Sequence, residues 1–260
     1  MKTLELLTGD LVVLKSDIHK IIYIIEKIEN DKIYIKGLNY RIRKIINYQE
    51  VVIATAQQIK AEEEQTNNYY QNITGIRKRR SKNYLLGKVL HIDGDDKYLN
   101  KCLELYKSIG VYSNGIMIKE DLIFEKAEEL INQLFPDIVV ITGHDVYNQQ
   151  GLKELVNYSN SFNFIKAIKC IRRIKSKSDL IIIAGACQSH FEALIANGAD
   201  FASSPKRINI HTFDPAVIAI KAATTSFSKI VSLHEALRYI DKGSDAFGGI
   251  ETYGKMRLFL

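Results

Sequence analysis

The stretches PDIVVITGHD (136–145) and DLIIIAGACQSHFEALIANG (179–198) decide the fold. Each contains a short run with almost no polar residue, 138–142 in the first and 180–184 in the second. A strand with one face in water alternates polar and apolar side chains. A strand apolar on both sides is buried on both faces, as in a parallel sheet covered by helices. The second run passes directly into a helical period that closes at Gly198. The same alternation extends in both directions. KVLHID (88–93) reads as a strand, and DKYLNKCLELYKSIG as a helix ended by Gly110. IMI (116–118) is a short strand, and the helix through KAEELINQLF stops at Pro136-Asp137. SFNFIKAIKCIRRIK is a further helix, and ADFASS, INIH, a helix from Pro215, IVS and HEALRYI are weaker units.

These units predict an α/β domain over residues 87–260, a parallel-sheet α/β sandwich of caspase- or flavodoxin-like layout. Upstream the pattern differs. Residues 1–54 predict a small β domain, barrel-like in the SH3 or KOW manner. Gly9-Asp10 signals a turn before LVVLKS, and IIYIIEKI and KIYIKGL flank Glu29-Asn30-Asp31. Residues 55–86 are polar and lack a sustained apolar stripe. They read as an exposed basic linker with at most a short helix at its start.

Composition sets bounds. With 260 residues, 46% hydrophobic and 25% charged, the chain can bury a substantial core, which excludes wholesale disorder. No apolar run reaches the roughly 18 residues of a membrane span, and Glu5, Asp10 and Lys15 interrupt the start where a signal peptide would be apolar. No membrane partner is expected. Three cysteines, Cys102, Cys170 and Cys187, suit a reducing, cytoplasmic setting rather than a disulfide framework or four-cysteine zinc site. The net charge of +6 would suit nucleic acid if spread over the chain. It is not: residues 1–86 carry 15 basic and 10 acidic side chains, and Arg77, Lys78, Arg79, Arg80 and Lys82 cluster without interleaved aromatics. No nucleic-acid partner is expected.

Chemistry collects beyond the carboxyl ends of strands in such sheets. One end carries Gly143-His144-Asp145 and another Gly185-Ala186-Cys187-Gln188-Ser189-His190. The 43 residues from His144 to Cys187 fit one crossover, so neighbouring strands would bring imidazole and thiol together. Cys187 is expected in the first turn of the next helix, where backbone N–H groups stabilise a thiolate. Gly143, Gly185 and Ala186 are candidate backbone support for an oxyanion. His190 is a rival base, one helical turn past Cys187. A lone cysteine is ordinarily a small buried hydrophobe, and Cys102 and Cys170 fit that role. Asp145 could orient His144, bind a basic substrate side chain or cap a loop. Asp93-Gly94-Asp95-Asp96, after His91, suits either a helix N-cap or a Mg²⁺ site. No HExxH, P-loop or GxGxxG is present, and no metal or cofactor is expected.

With these residues in hand, LIIIAGACQSHFEALIANGADFASSPKRINIH, VVITGHD, VLHIDGD and the N-terminal GDLVVLKS resemble the YabG family of sporulation-specific peptidases. The resemblance covers most of the chain. It implies a cysteine endopeptidase that processes spore coat and germination-related proteins after basic residues, Arg above all. It also implies a site in the mother-cell cytoplasm or at the spore coat. The strand-His and strand-Ala-Cys arrangement is similar to caspases, gingipains and clostripain, although Gly143 precedes the His here and Asp145 follows it. Cleavage after Arg requires a carboxylate pocket, for which Asp145, Glu192, Asp214 and Asp245 are candidates. Arg77, Arg79 and Arg80 are candidate self-cleavage positions. Two other readings stay open: a glutamine-amidotransferase-like thiol amidase, and a binding module that uses the β domain and basic linker.

Overall fold

The computed structural model describes residues 5–17, 21–75 and 83–258. Five short strands open the chain: β1 (Leu11–Leu14), β2 (Tyr23–Glu29), β3 (Lys32–Gly37), β4 (Arg43–Asn47) and β5 (Val51–Ile53). They form an antiparallel sheet of order β4-β3-β2-β1-β5. The β2–β3 hairpin turns at Asn30, whose positive φ of 52° an asparagine tolerates. Val12, Tyr23, Ile25, Ile33 and Ile35 point to one side and are buried there.

Residues 55–75 depart from the linker reading. They form α1 (Ala56–Thr74), a helix of 19 residues. Thr55 starts it with a capping box: its hydroxyl accepts the Gln58 N–H while the Gln58 side chain accepts the Thr55 N–H. Tyr69, Tyr70 and Ile73 then supply a short apolar edge that packs on the core. Three residues at helical spacing anchor the helix although no stripe runs its whole length.

The second sheet has six strands: β7 (Val89–Asp93), β8 (Ser113–Met117), β9 (Ile138–Thr142), β10 (Ile181–Ala184), β11 (Phe201–Ser203) and β12 (Phe247–Gly249), in order β12-β11-β10-β9-β7-β8. All pairs are parallel except β11 with β12. The preceding β6 (Tyr84–Leu85) pairs instead with β13 (Arg257–Leu258). The helices are α2 (Asp96–Ile109), α3 (Ile123–Leu134), α4 (Ser161–Ile174), α5 (Phe191–Ala196), α6 (Asp214–Thr224), α7 (Leu233–Leu237) and α8 (Gly243–Ala246).

Every residue of β7, β9 and β10 is buried, because successive side chains enter two different cores. Val89, Ile138, Val140, Ile181 and Ile183 pack with α2 and α6, whereas Leu90, Val139, Ile141 and Ile182 pack with α3, α4 and α5. Each such aliphatic side chain contributes about 1.5–3 kcal/mol by leaving water. The first of these cores also takes in the inner face of the N-terminal sheet, so both sheets share one hydrophobic interior.

The chain leaves β7 toward β8 on one side and returns to place β9 on the other. The loops after β7 and β9 therefore leave toward opposite sides, and the crevice at such a switch point is the usual place for a ligand in these sheets.

Candidate active site

The site is built from four loops at that edge. Ala184 is in register with Ile141, and Asp93 with Thr142. Cys187 and His144 each lie three residues beyond a paired position on adjacent strands. Gly94 and Asp95 follow β7 at the same edge, and Glu120 comes from the loop between β8 and α3.

Glu120 was not among the residues expected from the sequence. Its Oε1 accepts the His144 N–H at 2.7 Å and lies 3.4 Å from His144 Nδ1, close enough for an ion pair but not aligned as a hydrogen bond. Burial raises the Glu120 carboxyl, but the nearby His144 imidazole and the hydrogen bond from the His144 N–H outweigh it and hold the group below its ordinary value. Two glycines make room. A Cβ on Gly94 or on Gly143 would each stand 2.3 Å from Glu120 Oε1. Gly143 thus serves the seat of a carboxylate. The sequence signal was a glycine after each of two strands, with nothing local to name what fills the space.

His144 is 7% exposed. Its Nε2 lies 3.9 Å from Asp95 Oδ2, and its ring stands 5.7 Å from the Tyr98 ring. Neither ring nitrogen has a hydrogen-bond partner among the described residues.

Cys187 is fully buried. Its sulfur accepts the Ile210 N–H at 3.2 Å. Burial pushes the thiol up to about 12, and the Ile210 N–H only partly opposes this. Tyr23 and Tyr98 both lie close enough for a thiolate at Cys187 to oppose ionisation of their hydroxyls. The expected helix N-terminus is absent at Cys187. The α5 helix begins at Phe191, and residues 185–190 form a tight loop with positive φ at Gly185 and at Gln188. The intervening residues use their polar groups locally, and the helix dipole acts at His190 instead.

His190 is the α5 N-cap. Its Nδ1 accepts the Ala193 N–H, and its Nε2 donates to the Lys153 carbonyl at 3.1 Å. Both nitrogens are engaged away from Cys187, so the rival base has a capping role. Asp145 is likewise occupied. It accepts from Val146 N, Asn160 N, the Ser161 hydroxyl and the Ser189 hydroxyl, fastening the loop after β9 to α4 and to the Cys187 loop. The Gly185 N–H donates to the Ile141 carbonyl, and the Ala186 N–H donates to the Ser189 hydroxyl. Both N–H groups thus have partners within the protein.

The other candidate carboxylates fall elsewhere. Glu192 pairs with Arg207. Asp214 is buried at the start of α6, accepting from the Tyr69 hydroxyl at 2.5 Å and the His211 N–H; burial raises its carboxyl to about 7. Asp245 is exposed, and its backbone carbonyl takes the Lys206 N–H. Arg77, Arg79 and Arg80 lie outside the described residues.

Besides Glu120, the carboxylates at the crevice are Asp93 and Asp95. Asp95 Oδ1 caps α2 through the Lys97 and Tyr98 N–H groups, while Oδ2 takes the Lys36 ammonium at 2.6 Å and the Arg43 guanidinium at 3.1 Å. Asp93 pairs with Arg41 and accepts the Thr142 hydroxyl at 2.8 Å. Their cations come from the N-terminal sheet, and no group of three or more His, Cys, Asp or Glu side chains fit to hold a metal occurs among the described residues.

The fold is a mostly parallel α/β sheet covered on both faces, and the loops at one edge carry an imidazole with its carboxylate after β9 and β8 and a buried thiol after the neighbouring β10. The sequence profile described as "YabG peptidase U57" matches residues 7–260, and the chain belongs to that family. It is 46% identical over 178 residues to the sporulation-specific protease YabG of Bacillus subtilis (strain 168), covering 67% of this chain. The aligned stretch spans 61% of that relative's length. No solved structure matches the chain. No helix among the described residues is long and apolar enough to cross a membrane.

Proposed function

We propose that this chain is a cysteine endopeptidase of a sporulating bacterium, with Cys187 as nucleophile, His144 as base and Glu120 as the group that orients the imidazole. One observation carries the reading: on adjacent, register-matched strands the thiol and imidazole loops meet one edge, and a carboxylate seated on two glycines holds the histidine. In turnover the Cys187 sulfur gives its proton to His144 and attacks the scissile carbonyl carbon. The tetrahedral adduct collapses, the C–N bond breaks, and the leaving amine takes the proton from His144. Water, deprotonated by His144, then cleaves the thioester and restores the thiol.

The family and its sporulation-specific relative support spore coat and germination-related proteins as substrates, in the mother-cell cytoplasm or at the coat, with cleavage after Arg or Lys. The basic residues Arg77, Arg79 and Arg80 would then be sites of self-cleavage. The chain is then organised in three parts, 1–54, 55–86 and 87–260, with α1 of the middle part packed onto the core.

Mass spectrometry of the full chain incubated with an Arg-containing protein tests the assignment. Cys187→Ala and His144→Ala should each abolish cleavage and self-cleavage while the fold persists. His190→Ala should lose only a capping interaction and retain turnover. Full activity in Cys187→Ala, or its loss in His190→Ala alone, overturns the assignment. Ammonia release from glutamine without protein cleavage would point instead to an amidase.

A further inference from the structure

The N-terminal sheet lies across the crevice. Tyr98 of α2 donates its hydroxyl to the carbonyls of Gly37 and Tyr40, fixing the β3–β4 hairpin over the site. Beside these contacts the Lys36 side chain enters the protein with 5% of its surface exposed. Its ammonium lies against Asp95, 4.7 Å from the centre of the Tyr98 ring, with Glu26 at 3.8 Å. Arg43 reaches the same carboxylate from the rim. A carboxylate with an aromatic floor is a receptor for a basic side chain. This receptor adjoins the candidate base, since the same Asp95 oxygen is 3.9 Å from His144 Nε2 and the same Tyr98 ring faces His144.

A buried lysine is a poor device for stability alone. Desolvation of an ammonium and a carboxylate offsets most of their attraction, and apolar side chains of equal volume would serve as well or better. The cleft itself is closed. Cys187 has no exposed surface, and a cavity of about 690 Å³ near Tyr40, Glu62 and Asp241 includes neither Cys187 nor His144. Tyr23 of β2 lies close to Cys187 and Ile210 bonds its sulfur, so a polypeptide substrate can reach the thiol only when the segments around it, the first sheet among them, move.

We propose that Asp95, on the floor provided by Tyr98, is the residue that receives the basic side chain of the substrate, and that Lys36 occupies this place in a latent form of the enzyme. The assignment rests on the thiol-peptidase reading. The sheet is then a built-in competitor: a protein segment presenting Arg or Lys displaces Lys36, and the same movement uncovers Cys187.

The test uses the full chain as wild type, Lys36→Gln, Arg43→Gln and Asp95→Asn. Two measurements are made. One compares cleavage of two peptides that differ only in Arg or norleucine before the scissile bond. The other follows alkylation of Cys187 by iodoacetamide, read by peptide mapping, and needs no catalysis. Lys36→Gln should raise Cys187 alkylation and Arg-peptide cleavage roughly tenfold or more, with Arg43→Gln, a half-exposed position, moving both in the same direction. Asp95→Asn should lower the preference for Arg over norleucine by about tenfold or more, because the pocket loses its charge. An unchanged preference in Asp95→Asn overturns the recognition role. Unchanged alkylation in both Lys36→Gln and Arg43→Gln overturns the latch. Rapid alkylation in Lys36→Gln with no cleavage by any of the four chains overturns the peptidase reading and the recognition role with it, and supports the latch.

Discussion

Glu120 occupies a space that two backbones leave open. With no Cβ at Gly94 or Gly143, its carboxylate reaches the His144 N–H and stands beside Nδ1. In the proposed mechanism, a base held this way would offer its other nitrogen to the thiol, and a misplacement of about 1 Å costs roughly a hundredfold in rate. Glu120→Ala is therefore expected to lower kcat on that order with KM little changed. Glu120→Gln should restore the hydrogen bond to His144 N but not the rate, since it lacks the charge facing the ring. Steady-state kinetics with urea unfolding of both variants separates this positioning role from a structural one. A Cβ at Gly143 should act like loss of Glu120, because the carboxylate would have to leave. None of this was legible in the sequence. Glu120 stands 24 residues before His144, in a loop without a motif, and only the fold joins the two.

At the scale of elements, the strands and most helices were legible. IVVIT is β9 to the residue, and Gly110 ends α2 in the left-handed conformation with φ 81°. Apolar runs and helix stops are local signals, and local signals survive without tertiary knowledge. Two elements were misread for physical reasons. The α5 helix starts at Phe191 because His190 caps it, and Ser189 is drawn to Asp145 and Ala186 instead of continuing a helix upstream. The α1 helix was hidden because its outer face is fully polar, yet Thr55 and Gln58 carried its start. Thr55→Ala should cost about 1 kcal/mol in urea unfolding, the typical worth of such a cap. Tyr69 and Asn39, which bond α1 to Asp214 and to the first sheet, should keep the helix docked.

At the scale of the whole molecule, three cations of the N-terminal half meet two carboxylates at the edge of the second sheet, and the innermost pair is sealed from water. Arg41 and Asp93 are both fully buried, with Arg41 also donating to the Thr212 carbonyl. Arg41 and the His91 contact overcome burial and hold the Asp93 carboxyl far below its ordinary value. A depressed carboxyl contributes stability above its unfolded value near 3.8 and loses it as pH falls through the folded value. Stability should accordingly drop on acidification below about pH 4. Arg41→Met, which strands the Asp93 charge, should cost about 3–5 kcal/mol at neutral pH, and adding Asp93→Asn should recover much of it. Urea midpoints between pH 3 and 7 check both. An Arg41→Met chain as stable as wild type would show that water reaches the pair.

By itself the sequence determined the layers. Fully apolar runs alternating with amphipathic periods require a covered parallel sheet, and they place His144 and Cys187 at one edge of it. The basic excess before Gly87 was also visible, but its meaning was not. Only the tertiary structure decided that Lys36, Arg41 and Arg43 from that basic half meet Asp93 and Asp95 across the crevice. It also decided that Glu120, rather than Asp145, faces the imidazole, and that Cys187 is closed from solvent. Periodicity is a property of neighbours along the chain. Which charges pair, and which thiol is buried, depends on segments that only packing brings together.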